Sequence, residues 1–320
     1  MGVFVDTYNS SSPDEVIWQF PSYVDPLFLT LIVLLSLPGI LLNPIVIKSR
    51  IARISNSIPA LLTTCLCGVY LVFGLFISTN WTYSIIKDTP NQNLDFHNAT
   101  TFDQVYTFVY RSGNLYVVAL LYLMAFSRYR AIADPFYAIQ YKEILRKAIG
   151  FGVVALFLCL VAASLTSMTA YSDRVFKFSP HIETVPYFAI EVLTIALLIS
   201  SLEHTWRTIK MLQKADDTPA ETREQRRNGV KMMLVLIGGQ TIQVILGAGL
   251  YFPFLYKSPY YAVTDACLLQ CFLASYTAVV LIAMEKGTQS EVRKILPVVK
   301  RSGNTGGGGE GTAVAMPEVE

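Results

Sequence analysis

The 320-residue chain is 53% hydrophobic and only 15% charged, with a mean hydropathy of +0.45 and a formal net charge of +2. Soluble domains carry roughly 25% charged residues, so these figures exclude an ordinary pair of water-soluble domains and point to a chain that crosses a membrane several times. With so small a net charge and no basic strip interleaved with aromatics, nothing suggests a nucleic-acid partner.

Residues 1–25 are polar and acidic, with Asp6, Asp14, Glu15 and Asp25 but no Lys or Arg. A secretory leader starts with a basic region, so this stretch reads as an extracellular N-terminal segment, and the first apolar run as its own insertion signal. About 20 mostly apolar residues are needed to cross the hydrocarbon core. Seven segments qualify: 26–47, 57–78, 106–126, 148–168, 186–206, 230–254 and 260–284. The expected fold is therefore all-α, a seven-transmembrane helix bundle over residues 26–284. Neither half of the chain repeats the other.

Lys and Arg set the orientation, because cytoplasmic loops hold the excess. With the N-terminus outside and the C-terminus inside, twenty of the 25 Lys and Arg fall on the inner side. The outer side holds Lys87, Arg174, Lys177 and Lys257, and Arg111 lies within a span. The Asn-x-Ser/Thr sequons at Asn9, Asn80 and Asn98 all fall on the outer side, where glycosylation occurs. Asn80 is the weakest acceptor because it adjoins the end of the second span.

Cys65, Cys67, Cys159, Cys267 and Cys271 all lie in apolar segments. They read as buried thiols, since no loop Cys or His cluster accompanies them. His97 and His181 have no metal-ligating companions, and neither metal nor cofactor is expected. After the last span, residues 285–298 carry a Val292, Ile295, Leu296 stripe beside Arg293 and Lys294. They read either as an amphipathic cytoplasmic helix on the lipid surface or as a basic flank that stops transfer. Residues 299–320 are Gly-rich and read as a flexible cytoplasmic tail.

The third span ends in Ser127, Arg128, Tyr129, Arg130, Ala131, Ile132, Ala133, Asp134, Pro135, Phe136. An arginine there can stay hydrated yet point into the bundle, and Pro135 stops the helix or restricts the residue before it. With seven spans, an outer N-terminus and this Arg-Tyr-x-Ala-Ile-x-x-Pro pattern, the chain resembles the rhodopsin-like G-protein-coupled receptors. In that family an acid precedes the Arg-Tyr pair. Asn43 and Val46 also fit the family's first-span Gly-Asn-x-x-Val, whereas Leu42 replaces its glycine.

There are departures. Ser127 stands where the acid should be, and the second span has no Asp for the family's sodium site. The fourth span lacks tryptophan. The sixth reads GGQTIQVILG in place of Cys-Trp-x-Pro, and the seventh reads ASYTAVVLIAM in place of Asn-Pro-x-x-Tyr. The disulfide that ties the third helix to the second outer loop cannot form, as neither region has a cysteine. Such erosion is most similar to the divergent nematode serpentine chemoreceptors. The resemblance implies a receptor in the plasma membrane, including that of sensory cilia, that binds an extracellular small molecule and signals to a heterotrimeric G protein. Ser127, Arg128, Tyr129 and Pro135 would form the coupling switch.

A ligand site is expected near the outer end. Arg111 and Arg128 are 17 residues apart, roughly 26 Å along a helix, so Arg111 lies near the outer edge if Arg128 lies at the inner one. Tyr110 shares the face of Arg128, and Asn114 follows one turn below Tyr110. Ionisable residues within spans face the protein interior and pair, which adds Glu191 on the fifth span and Asp265 on the seventh. Tyr110, Arg111, Asn114, Glu191 and Asp265 then line an outer-facing pocket. A purely structural Arg111–Glu191 pair is the other reading. Gln240, Gln243 and Gln270 read as interhelical glue or as a conformational latch, and His204 as an interfacial residue. Two rival classes stay in view. A small transporter or channel should show broken helices or a charged midplane path, and none is evident. An enzyme should show a catalytic constellation, and none is found.

Overall fold

The computed structural model describes residues 24–55, 57–86, 101–133, 141–172, 181–214, 220–250, 269–284 and 288–289. Seven long helices occupy these residues: α1 (Val24–Ile51), α2 (Ile58–Ile86), α3 (Thr101–Ala133), α4 (Tyr141–Ser172), α5 (His181–Lys214), α6 (Ala220–Leu250) and α7 (Gln270–Met284). No strand occurs among the described residues. Five helices contain stretches long and apolar enough to cross a membrane: Thr30–Ile51, Ile58–Phe76, Ser112–Ala133, Tyr141–Val161 and Ala189–Gln213. The described part of α7 is apolar but shorter. In α6 the first turns are charged, AETREQRRNGVK, before the apolar run begins.

Several helices outrun the apolar runs that predict them. α6 begins at Ala220, ten residues ahead of the expected span, and α5 continues to Lys214 rather than 206. The reason is that composition marks where a helix meets lipid, whereas helix length follows from propensity, and Glu, Arg, Gln and Lys propagate a helix well in water. α3 is helical through Ala133, two residues ahead of Pro135, and residues 134–140 lie outside the described residues. α2 runs through Asn80 to Ile86, so that sequon is helical. Of residues 285–298, only Thr288 and Gln289 are described, and both are helical.

Side-chain contacts fix the direction of every helix. On α1 and α2, Ile40 meets Gly74 while Arg50 meets Cys67, so the two run antiparallel. Phe73 sits on Gly113, and Cys65 is near Tyr116, which makes α2 and α3 antiparallel. Tyr116 faces Gly152, and Phe126 lies under Lys147, which does the same for α3 and α4. α3 and α5 are parallel, because Leu115 clusters with Ile190 and Tyr129 with His204. α3 and α6 are antiparallel, pairing Asn114 with Gln240 and Arg128 with Gly229. α1 and α7 are parallel: Leu35 bonds Ser275, and Ser49 lies 3.5 Å from Thr288 beyond the end of α7. Helices α1, α3, α5 and α7 therefore point one way, and α2, α4 and α6 the other.

α3 is the central rod. Leu115, Val117 to Leu121 and Leu123 to Ala125 are all buried, on every side of the helix. The outer rods turn large apolar side chains away from the bundle, among them Leu34 on α1, Phe157 and Leu160 on α4, Ile199 on α5 and Ile245 on α6. So much outward apolar surface is a liability in water and fits a hydrocarbon solvent.

The α1–α7 seam brings two backbones close together. α1 contains Pro38 and Pro44, each of which removes a backbone donor from the helix. The Ser275 hydroxyl fills the gap near Pro38: the Gly39 N–H donates to Ser275 Oγ at 2.8 Å, and that hydroxyl donates to the Leu35 carbonyl. An unbroken helix would pair those two backbone groups directly. Asn43, fully buried, donates through Nδ2 to the Gly39 carbonyl at 2.8 Å and to the Ala274 carbonyl at 3.2 Å. A side chain at Gly39 would press on the Ala274–Ser275 backbone at 3.0 Å, so only glycine lets the two helices come this close.

Candidate functional site

Two polar clusters are built into the apolar bundle, one deep on α3 and one at its C-terminal end. In the deep cluster, Gln240 is the hub. Its Oε1 accepts from the Tyr70 hydroxyl at 3.1 Å. Its Nε2 donates to Asn114 Oδ1 at 2.7 Å and also to Gln243 Oε1. Gln270 Nε2 donates to the same Asn114 oxygen at 3.3 Å. Five side chains from α2, α3, α6 and α7 thus share one network, and all are buried. Gln240 and Gln243 lie three apart and Asn114 sits opposite, because helical spacing puts both glutamines on the α3-facing side of α6. None of the described members of this network is charged.

In the second cluster, Ser127 is buried and turns back on its own helix, donating to the Met124 carbonyl at 3.0 Å. It does not engage Arg128. The Arg128 guanidinium packs against Gly229 of α6, where any side chain would collide with it. No hydrogen bond or ion pair to Arg128 is found among the described residues, and Arg50 is near enough to repel it. Beside it, His204 of α5 is wedged among three α3 rings: Tyr129 at 5.2 Å, Phe126 at 5.5 Å and Tyr122 at 5.7 Å between centroids. Lys147 of α4 lies 5.0 Å over the Phe126 ring, and Arg207 of α5 lies beside Tyr129. Cations from five helices, Arg50, Arg128, Lys147, Arg207 and those around Arg227 on α6, converge at this one end. The described basic side chains all belong to it.

The expected sites are placed unevenly. Asn114 and Arg128 do share one face of α3, since both meet α6. Asn114 joins the glutamines, so two sets that sequence reasoning kept apart form one cluster. Glu191 follows Ile190, which packs near Leu115, so it lies at the level of Asn114 on α5. Tyr110 and Arg111 are on the helical backbone of α3, but their side chains lie outside the described residues, as do Asp265, Pro135, Asn9 and Asn98. Whether Arg111 meets Glu191 is therefore not part of the described geometry. Cys65, Cys67, Cys159 and Cys271 are free thiols within the helices, and Cys267 lies outside the described residues. Tyr70 is the site residue that sequence reasoning missed. A tyrosine in an apolar run looks like any packing aromatic, and only a search for partners of the buried amides would have singled it out. His204 lies toward the C-terminal end of α5, and its aromatic enclosure has no sequence signature.

No protein-family model matches this chain, and no curated protein matches it in sequence.

Proposed function

We propose that the chain is a seven-span receptor with its N-terminus outside, which binds a small extracellular molecule and signals to a heterotrimeric G protein. A chemosensory role in the plasma membrane, including that of sensory cilia, follows from the resemblance set out above. The observation that carries the reading is the gathering of cations from five helices around Arg128 at one end of an alternating bundle. Cytoplasmic ends hold the basic excess, so that end is the inner face. There Arg128 lies against Gly229 of α6, and a modest outward shift of α6 would uncover it for a partner.

The mechanism is a population shift. Ligand contacts near the outer ends of α3, α5 and α7, where Tyr110, Arg111, Glu191 and Asp265 lie in the sequence, favour one packing of α6. The Tyr70–Gln240–Asn114 network couples that packing to the inner end, because α6 cannot move without exchanging those bonds. Asn9 and Asn98 are the better glycosylation acceptors, given that Asn80 is helical.

A reporter cell carrying the chain, screened with volatile and water-soluble compounds, tests the reading. A ligand response that Arg128→Ala abolishes is expected. With no acid at Ser127 to hold Arg128, basal output should be appreciable, and Ser127→Asp should lower it severalfold. Equal basal output from the two chains would reject this account of the switch. Solute flux through liposomes bearing the chain, with no reporter signal, would favour a transporter.

A further inference from the structure

The deep network has an open side. Gln243 is 3% exposed and gives its Oε1 to Gln240, yet its own amide nitrogen bonds to no acceptor among the described residues. It faces a groove between α6 and α7 lined by Gly239, Ile242, Leu269, Phe272 and Tyr276. Ile242 and Phe272 are 59% and 46% exposed and form its mouth. Its lower edge is clamped, because the Tyr276 hydroxyl donates to the Val235 carbonyl at 2.9 Å and its ring stacks on Phe272 at 5.6 Å. Glycine at 239 is what allows this, since a Cβ there would stand 2.7 Å from the Tyr276 ring.

Depth decides what can reach the groove. Gln243 is 12 residues beyond the exposed Lys231, about 18 Å along α6. That passes the middle of a ~30 Å hydrocarbon core. The mouth therefore opens on lipid and not on water, and a molecule entering there must already be dissolved in the membrane. A charged head at this depth is strongly disfavoured, and none of the described side chains lining the groove is charged. An unused N–H at the end of an apolar slot calls for an acceptor on an apolar chain.

We propose that the α6–α7 groove binds a neutral, membrane-dissolved amphiphile whose carbonyl oxygen accepts a hydrogen bond from the Gln243 amide nitrogen. The site rests on the membrane-spanning part of the function proposed above but not on signalling. Occupied, it would brace α6 against α7 next to the Gln240 hub and so bias the packing that exposes Arg128.

The test uses the full chain in phosphatidylcholine nanodiscs with two photoreactive probes, an oleamide and a headless alkene of equal length, each carrying a diazirine and an alkyne. The oleamide should label peptides spanning residues 242–245 and 269–276 at least fivefold more than the alkene does. Unlabelled oleamide should compete, and octadecene should not. Gln243→Leu, close in size, should reduce oleamide labelling to the alkene level. Ile242→Trp, which points into lipid and spares the core, should cut it about fivefold by blocking the mouth. Labelling at Phe157 on the outward face of α4 should stay constant throughout and reports intact insertion. Equal labelling by both probes, or no change in Gln243→Leu while Phe157 labelling holds, would mean that ordinary acyl chains occupy the groove and would overturn the proposal. If reporter cells never respond to any compound while the fivefold difference stands, the receptor reading fails and the lipid site survives.

Discussion

Gln240 donates to two oxygens and accepts from a hydroxyl, so its loss breaks more bonds than the loss of any neighbour. Replacing it with leucine strands Gln243 Oε1 in an apolar interior and removes one partner from the Tyr70 hydroxyl, which keeps Thr277, while Asn114 keeps Gln270. Interhelical hydrogen bonds in membranes average about 0.6 kcal/mol, but stranded buried groups cost about 1–3 kcal/mol. Gln240→Leu should therefore destabilise by about 1–3 kcal/mol in a denaturant titration in bicelles, and Gln270→Leu by under about 1 kcal/mol. Equal costs would show that the network has no hub. At this scale the sequence was partly readable. Amides inside apolar runs stand out, and helical periodicity put Asn114 and Arg128 on one face. Tyr70 did not stand out, because what distinguishes it is the amide across the bundle. The acid missing at Ser127 was visible, but its replacement's inward turn onto Met124 was not, since a serine in a helix is free to bond either its own backbone or a neighbour.

Element boundaries follow two different rules, and only one is written in hydropathy. Stretches long and apolar enough to cross a membrane overlap the first five expected runs, whereas polar turns at the ends of α5 and α6 extend those helices beyond theirs. Pro38 and Pro44 each leave α1 short of a backbone donor, yet nothing along the chain says that Ser275 fills the break near Pro38. That contact makes the cost of one residue conditional on another. Removing the Ser275 hydroxyl should strand the Gly39 N–H or force the kinked turn to close, at about 1–3 kcal/mol. In a Pro38→Ala chain the turn can already close on itself, so Ser275→Ala should then cost less than half as much. A double-mutant cycle measured by denaturant unfolding gives the coupling directly. A coupling of zero would mean that Ser275 only packs against α1 and does not complete its ladder.

For the molecule as a whole, charge told more than any motif did. The excess of Lys and Arg on one set of loops implied that odd and even helices run in opposite senses, and the pairwise contacts place the helices in that alternation, with the described cations at one end. Which end faces the cytoplasm depends on the membrane and is not a property of the bundle alone. The energetic argument is that roughly a dozen cations on one side would have to be translocated if the bundle were inverted, against the direction in which short basic loops are retained. An epitope inserted after Asp217, between α5 and α6, should therefore be invisible to antibody on intact cells and stain after permeabilisation, while one ahead of residue 24 should stain on intact cells. The reverse pattern would put the Arg128 cluster outside, where no G protein could meet it. The coupling role of Arg128 would then be lost, whereas the amide network and the groove beside Gln243 would keep their depth in the bilayer, since inversion leaves the middle of the membrane where it was.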